Sequence, residues 1–560
     1  MGVLEEFEAR PLTSPARSPY LLPAGRPSRR SSWPPPLSPL RPVVRIVCRW
    51  PWLLTALLCV VSLAFGLTGP DTPAAEYRAW LFRHAGPVLW DDQWYAGHTV
   101  PGYSVLFPPL GALLGVAVVG TAACVASTVI MTRLVRGRAG AGHDLGLVWF
   151  AVATVANLVV GRLPFALGMT FGVLALLGAK EGRPWVAALG AVLCSLGSPL
   201  AGGFLVLAAM ALYGSWPRRQ VLPLAGAFAG LLVAAAFPER GTFPFPAGTL
   251  AGVLLVCGIG LLVVPRESVV FRRGLLLYAA ASLVFFFVPT PIGGNMARPA
   301  SLLAGPVAAI VLRRRPRALL LVAAPLVVWQ IAPVQGALAT YRDPSGSAAY
   351  YQGLLNFLDH GPVPIGRVEI PMTRAHWEAS FVAPHVPLAR GWYRQLDTQY
   401  GGILYSDRLS AKTYHTWLSD NGVRYVALPD VELDPSAEAE AELLRSGLPY
   451  LHEVWRDAHW RVWLVTTATG LVKGRAQLTA LDINTLTLDV PEPGVNIVLV
   501  HYTPYWQLDE GQACVFETAD GWTGVLTEVP GEVTLTARLS VNGLLTRPRG
   551  LDCPADDRPH

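Results

Sequence analysis

The sequence has few charged residues for its length. Asp, Glu, Lys and Arg make up 15% of its 560 residues, against about 25% in an average soluble domain. The deficit is confined to residues 50–335, and the charge content is ordinary after them. Two such regimes in one chain indicate at least two domains and exclude a uniformly soluble protein.

Lysine is nearly absent. It occurs only at positions 180, 412 and 473, so Arg supplies almost all of the positive charge. The net charge is +6, but most basic residues stand in short connections between apolar runs, where they determine orientation in a membrane. We therefore interpret the charge as a topology signal and expect no nucleic-acid partner.

Metal-binding cysteine motifs are also absent. The seven cysteines form no CxxC pair and no Cys/His cluster, which argues against a zinc site. Five of them lie in or beside apolar segments, where Cys usually acts as a small hydrophobic residue: Cys48, Cys59, Cys124, Cys194 and Cys257. Cys514 and Cys553 lie in the C-terminal region. If that region is extracytoplasmic, we expect a disulfide between them.

Both termini are predicted to be disordered tails. Residues 1–49 are rich in Pro, Arg and Ser, and residues 551–560 form a short polar end. The N-terminal segment is not typical of a signal peptide, because its basic region is too long and no small-residue cleavage site follows. A basic segment before the first apolar run predicts a cytoplasmic N-terminus.

Apolar runs dominate residues 50–335. A membrane helix needs about 20 residues, with about 17 as the usual lower limit. Each even-numbered run is followed by basic residues, whereas the odd-numbered exits carry less positive charge. This alternation predicts about eleven membrane helices, with the C-terminal region outside. The runs are 51–69, 104–131, 145–161, 164–179, 185–198, 200–215, 220–237, 247–264, 274–289, 299–312 and 318–335.

The segment 185–215 contains the break CSLGSPLAGG. Gly and Pro there indicate either a tight outer turn between two short helices or one kinked helix. We favour the turn, because one kinked helix would place Arg218 and Arg219 on the outer side.

A long outer loop, residues 70–103, follows the first run. Long loops between otherwise short connections are usually functional. Asp71 lies just beyond the run, at the predicted membrane surface, where partial desolvation suits a carboxylate to accept a proton. The alternative is a solvated carboxylate or a helix N-cap, because TPAAEYRAWLFRH is typical of a short interfacial helix that Asp71 or Thr72 would cap.

Two other outer connections each carry an arginine. Arg162 lies between the third and fourth runs, and Arg298 opens the tenth. Each guanidinium either extends to the lipid headgroups or faces a cavity shared with the first loop. Because three outer connections supply polar groups, we favour the cavity. Arg binds phosphate bidentately and a carboxylate activates a hydroxyl, so the predicted ligand carries both groups.

The C-terminal region is predicted to hold two modules outside the membrane. Residues 336–465 alternate helix and strand patterns, which favours an α/β domain, and residues 466–550 follow the period of two of a β-sandwich-like module. The aromatic segments RGWYRQLD and HYTPYWQLD either stack on an acceptor glycan or pack a core. Core packing is favoured for most of the aromatic residues, whereas RGWYRQLD and HYTPYWQLD break the alternation and are the better candidates for glycan contacts.

Several short motifs resemble those of a known superfamily. The segment PVLWDDQWYAGHTVPGYSVLFPPL is similar to the W-x3-W-x2-G…Y/F-P-P-L loop of the YfhO-like and related bacterial GT-C membrane proteins. GGNMAR resembles a late outer-loop motif of that group, and LSDNGVRYVALPD resembles a helix–strand segment of its outer domain. The chain thus resembles the GT-C superfamily of polyprenyl-phosphate-sugar-dependent glycosyltransferases over most of residues 50–545, although no WWD motif occurs.

The resemblance implies roles for particular residues. Asp71 matches the acidic residue after the first span, the expected general base. The candidates for binding the acceptor or a divalent cation (Mg or Mn) are Asp91, Asp92, Glu76 and His98, and those for the lipid phosphate are Arg78, Arg162 and Arg298.

The leading hypothesis is therefore a membrane glycosyltransferase. It would use a polyprenyl-phosphate-sugar donor in the lipid bilayer and an envelope glycan, lipid or protein as acceptor. The alternatives are a transporter or flippase and a non-catalytic envelope-assembly protein. Transporters usually show inverted repeats and polar midplane groups, and this sequence shows no clear instance of either.

Overall fold

The computed structural model describes residues 41–136, 143–237, 241–360 and 366–539. Most of the residues predicted to be disordered, 1–40 and 551–560, lie outside this range. Residues 41–49 were predicted as part of the N-terminal tail, and here the structure corrects the sequence analysis, because they form a helix. Arg45 and Arg49 lie four residues apart on one helical face, a pattern typical of a helix that lies along a membrane surface.

The first part of the described chain is helical. Each of the eleven predicted apolar runs contains a helix, and the second run is divided at Gly115. The helices are α1 (Arg41–Arg49), α2 (Pro51–Ala64), α3 (Thr72–Ala85), α4 (Phe107–Leu114), α5 (Val116–Arg136), α6 (Asp144–Val160), α7 (Leu163–Lys180), α8 (Pro184–Gly197), α9 (Pro199–Leu212), α10 (Arg218–Val221), α11 (Gly226–Ala236), α12 (Ala247–Val263), α13 (Val269–Phe287), α14 (Ala297–Val311) and α15 (Pro316–Ala339).

Several of these helices are suited to cross a membrane. Within the described residues, five helical stretches are long and apolar enough to cross a membrane, with α10 and α11 counted as one stretch. The number is six if the bent pair α1–α2, with 97° between its axes, forms one span. Four more apolar helices are shorter: α6, α8, α9 and α12. The chain therefore has the composition of a multi-pass membrane protein, while the count of eleven spans and the orientation of the termini stay predictions.

The predicted turn in the segment 185–215 is confirmed. Helix α8 ends at Gly197, Ser198 adopts an extended conformation (φ −160°, ψ 115°), and α9 begins at Pro199. A Cβ atom on Gly202 would lie 2.8 Å from the Cβ atom of Ser195. Residues seven apart in one continuous helix are separated by roughly 10 Å along the axis, so the chain reverses direction at Ser198.

The region after Ala339 begins with an α/β unit. Its sheet has the order β3-β4-β6-β5, with β3 parallel to β4 and the other pairs antiparallel. The predicted order of helices and strands agrees with it. The strands are β3 (Arg367–Glu369), β4 (Val423–Pro429), β5 (Leu451–Arg456) and β6 (Trp460–Val465), and the helices are α16 (Ala348–Asp359), α17 (Glu378–Phe381), α18 (Arg394–Tyr400), α19 (Ala411–Asp420) and α20 (Glu438–Arg445).

Two four-stranded antiparallel sheets follow, with the orders β12-β13-β10-β7 and β11-β14-β9-β8. Their alternating apolar residues pack one core that includes Trp506. This Trp of the segment HYTPYWQLD therefore packs a core, although the segment was a candidate for glycan contacts. Cys514 is disulfide-bonded, and its predicted partner Cys553 lies outside the described residues. The strands are β7 (Val472–Lys473), β8 (Gln477–Leu481), β9 (Thr485–Val490), β10 (Gly494–His501), β11 (Trp506–Glu510), β12 (Cys514–Glu517), β13 (Trp522–Thr527) and β14 (Gly531–Ala537).

The long outer loop connects the helices to both C-terminal units. It forms a small hairpin of β1 (Trp90–Asp91) and β2 (His98–Thr99), and between them the chain docks against the α/β unit. The carbonyl of Gln93 accepts a hydrogen bond from the N–H of Leu388 at 2.8 Å. Trp94 is fully buried, and its indole N–H donates to the carbonyl of Ala379.

The same loop also contacts the β-module. The N–H of Asp92 donates to the carbonyl of Ile483, and the carbonyl of Ala96 accepts from the N–H of His501, both at 2.7 Å. These backbone bonds explain the length of the loop, because a short connection would not reach two separate units.

We expect Trp94→Ala to loosen this docking. Loss of a fully buried Trp leaves a large cavity and typically costs about 3–5 kcal/mol of folding free energy, so the midpoint of thermal unfolding of the purified protein should fall by several degrees. The matched control is Trp185→Ala, because Trp185 is 69% exposed and its loss should leave the midpoint unchanged. Equal midpoints for the two variants would contradict the assigned role of Trp94.

Candidate functional site

Asp71 is held where the chain passes over the turn between α6 and α7. Its N–H donates to the carbonyl of Val160 at 3.2 Å. Gly161, in that turn, has a φ of 89°, and a Cβ atom there would lie 2.2 Å from the backbone N of Thr72. A glycine is therefore required for this approach. Asp71 occupies the N-cap position of α3, but its side chain makes no capping hydrogen bond, so capping does not account for the carboxylate.

The carboxylate of Asp71 instead faces Arg162. Its Oδ2 atom lies 3.6 Å from Nε of Arg162, and the two side chains are 29% and 23% exposed. Arg298 begins α14 nearby, with its guanidinium 5.6 Å above the ring of Phe165, and it acts electrostatically on Arg162. The structure thus brings together three of the predicted site residues from three separate connections.

This cluster has more positive charge than its protein partners neutralise. Nε of Arg162 has the ion pair with Asp71 at 3.6 Å, and Arg298 adds a second guanidinium that acts on Arg162. Nε of Arg298 is buried and has no hydrogen-bond partner among the described residues. Unpaired guanidinium N–H groups at a partly exposed site favour an anionic ligand, above all a phosphate oxygen.

The guanidinium of Arg78 lies beside the ring of Tyr103. It is buried among aromatic rings, 4.2 Å from the ring centre of Tyr103, 5.1 Å from that of Tyr393 and 5.4 Å from that of Trp94. Such cation–π contacts stabilise a buried cation. Tyr103, which contacts Arg78, also acts electrostatically on Arg162. The assignment of Arg78 as a phosphate ligand stays a prediction.

Asp91 and Asp92 lie inside the outer loop and are fully buried, and their role in binding the acceptor or a divalent cation stays a prediction. Asp91 accepts hydrogen bonds from the hydroxyl of Tyr77 and the N–H of Gln93, and Asp92 accepts one from the indole of Trp90 at 2.6 Å. Both carboxylates are buried because the outer loop docks against the C-terminal units and encloses them. Burial raises the pKa of Asp91 to about 7 despite these hydrogen bonds.

The other two predicted acceptor or metal residues also lie away from the Asp71–Arg162 pair. His98 is buried beside Asp91, with 3.8 Å between its Nδ1 and a carboxylate oxygen, and burial lowers its pKa to about 3. Glu76 is partly buried on α3, and this burial raises its pKa. In the described ranges, no group of three or more His, Cys, Asp or Glu side chains is arranged to hold a metal ion.

One residue at this site was missed by the sequence analysis. His376, in the α/β unit, is buried next to Trp392 and Asp434 and lies within the electrostatic reach of Asp71. No spacing motif relates it to Asp71. The sequence indicates His376 only through its position near the aromatic segment RGWYRQLD, which is a candidate for ligand contacts.

Comparisons with known proteins find similarity to solved structures. No protein-family model and no curated protein match the chain. Among solved structures, the chain is similar to the arabinofuranosyltransferase AftD from mycobacteria, at 17% sequence identity and a TM-score of 0.40, with 81% of this chain and 43% of that chain covered. The chain thus spans less than half the length of that protein.

We expect the buried Asp91 to make stability depend on pH. Its folded-state pKa, about 7, lies above its ordinary value of 3.8, so the folded protein binds this proton more tightly than the unfolded chain. The contribution to the free energy of unfolding is complete at low pH and is lost as the pH rises through about 7. Asp91→Asn keeps an acceptor for Tyr77 and removes the titration.

The measurement is the thermal unfolding midpoint of wild type and Asp91→Asn between pH 4 and pH 8. The decline with rising pH should be smaller in Asp91→Asn, while replacement of the exposed Asp407 by Asn should leave the decline as in wild type. Identical pH profiles for wild type and Asp91→Asn would show that Asp91 does not retain the proton.

Proposed function

We propose that the chain is a membrane glycosyltransferase that takes a sugar from a polyprenyl-phosphate donor and attaches it to a cell-envelope acceptor on the outer face. The observation that carries the proposal is the pairing of Asp71 with Arg162 beside Arg298, at the ends of apolar helices and next to the α/β unit. This arrangement supplies a base and an anion site at one point, where a lipid phosphate and a hydroxyl would meet.

The proposed reaction assigns one task to each group. The Asp71 carboxylate accepts the proton of the acceptor hydroxyl, whose oxygen then attacks the anomeric carbon of the sugar. The bond from that carbon to the phosphate oxygen breaks, and the electron pair stays on the phosphate. Arg162 and Arg298 stabilise the charge that develops there. Arg162 contacts Asp71 as well, so it holds the base next to the phosphate.

The location of these groups suits a lipid-linked substrate. Arg162 separates α6 from α7, and Arg298 lies in the first turn of α14, so both guanidiniums lie at the ends of apolar helices. A polyprenyl chain would remain in the bilayer while its phosphate reaches these ends. The acceptor would approach from the side of the C-terminal units, which we propose to be extracytoplasmic.

We expect Asp71→Asn to abolish transfer. Asn has nearly the same size and does not act as a base, so transfer of labelled sugar from a panel of polyprenyl-phosphate donors in membranes should fall by at least about a hundredfold. The matched control is Asp144→Asn, because Asp144 forms a similarly exposed ion pair with Arg136 at the opposite end of α6. Transfer at the wild-type rate in Asp71→Asn would remove the base from the mechanism.

We expect Arg298→Gln to weaken the use of the donor. Each charge-assisted hydrogen bond to phosphate contributes about 1.5–3 kcal/mol, so the kcat/KM of the donor should fall by at least about tenfold. The control is Arg183→Gln, which removes a 64% exposed guanidinium at the far end of α7. If the two variants behave alike, Arg298 is not a phosphate ligand. A wild type that transfers from no donor would favour the transporter or the assembly protein.

A further inference from the structure

His376 has a constrained and unusual environment. It precedes α17 and has a φ of 59°, a left-handed conformation that costs a non-glycine residue about 1–3 kcal/mol and is concentrated at functional sites. Its ring stacks on Trp392, with 3.4 Å between ring centres and 12° between planes. Both features fix the direction of the imidazole.

Asp434 fixes the protonation pattern of that ring. Its Oδ2 lies 3.2 Å from Nε2 of His376 and also accepts a hydrogen bond from Arg394 at 2.9 Å. His376 and Arg394 hold the pKa of Asp434 well below its usual range even though burial opposes them. An ionised Asp434 requires the proton of His376 on Nε2, so Nδ1 of the neutral imidazole carries a lone pair and accepts hydrogen bonds.

Nδ1 of His376 is buried and has no hydrogen-bond partner among the described residues. An unsatisfied buried acceptor typically costs about 1–3 kcal/mol. Asp434, Arg394 and Asp71 are the charged groups that act on His376. Helix α17, which begins two residues later, packs against α3, and α3 starts directly after Asp71. His376 therefore belongs to the part of the α/β unit that packs beside Asp71, and the region formed by Asp71, Arg162, Arg298 and His376 is called the cleft.

We propose that His376 is a substrate-binding residue of this cleft, whose Nδ1 accepts a hydrogen bond from a sugar or acceptor hydroxyl held next to Asp71. Asp434 and Trp392 are positioning residues that hold the ring. The inference rests on the proposed glycosyltransferase function and adds a recognition element for a hydroxyl, distinct from the guanidiniums that face the phosphate.

Two substitutions separate hydrogen bonding from packing. His376→Asn places an amide oxygen near the position of Nδ1 and suits the left-handed backbone, because Asn is enriched there. His376→Phe keeps a flat ring against Trp392 and has no acceptor. The control is His385→Gln in the same unit, since His385 is exposed.

The experiment is sugar transfer in membranes from the panel of polyprenyl-phosphate donors, with the donor concentration varied. We expect His376→Asn to stay within about threefold of wild type and His376→Phe to lose at least about tenfold in kcat/KM, the loss of about one hydrogen bond. A rise in the donor KM would assign the hydroxyl to the donor sugar, and a loss in kcat at unchanged donor KM would assign it to the acceptor. Both results support the inference.

Other outcomes would overturn it. Wild-type transfer by His376→Phe, or greater loss in His376→Asn than in His376→Phe, would show that the ring only packs. If His376→Phe has no thermal unfolding transition, His376→Ala replaces it, and equal transfer by His376→Ala and His376→Asn would exclude the hydrogen bond. Absence of transfer by wild type would instead remove the proposed function, and the role of His376 with it.

Discussion

Trp94 lies fully buried between the outer loop and the α/β unit, and the position of the candidate site depends on this contact. The loop joins the end of α3 to α4, so a shift of Trp94 would move the α/β unit relative to the helices. The backbone bonds of the loop to Leu388, Ile483 and His501 connect it to both C-terminal units. We infer that docking of the loop fixes the position of the α/β unit, and of His376 within it, relative to Asp71.

The charge balance of the cleft differs from that around the buried Arg390. Each of the three guanidinium nitrogens of Arg390 donates to a carboxylate, two to Asp397 at 2.8 and 2.9 Å and one to Glu440 at 3.1 Å. A buried cation of this kind needs such partners. Arg162 pairs with one partly exposed carboxylate, that of Asp71, and Arg298 lies near Arg162 with its Nε unpartnered among the described residues. We infer from the contrast that the first cluster maintains structure and the second holds a ligand.

Much of the fold is predictable from the sequence because it follows hydrophobic patterning. The apolar runs locate the helices, the break at Ser198 follows from local Gly and Pro chemistry, and the period of two predicts the late strands. The helix of residues 41–49 was not predicted. Its three arginines and the Pro-rich sequence before it outweighed the four-residue spacing of those arginines. Composition alone does not distinguish a disordered basic tail from an interfacial helix.

The candidate site was only partly predictable, for a different physical reason. Asp71, Arg162 and Arg298 were predicted because each follows or opens an apolar run, and the predicted topology places all three on one side of the membrane. Asp91 and Asp92 were assigned to a ligand site from the resemblance. Their burial depends on contact of the loop with a domain about 300 residues later in the chain, and the sequence does not show that contact. The pairing of His376 with Asp434 depends on tertiary contacts that follow no period, and no local pattern predicts it.

The central claim is that the cleft binds a lipid phosphate next to a catalytic carboxylate. The most direct measurement is an electron cryomicroscopy structure of the purified protein with a non-hydrolysable polyprenyl-phosphate-sugar analogue. The account predicts density for the phosphate within hydrogen-bond distance of the guanidiniums of Arg162 and Arg298, with the anomeric carbon facing Asp71. Phosphate density at another site, with the pair of Asp71 and Arg162 unchanged, would contradict it.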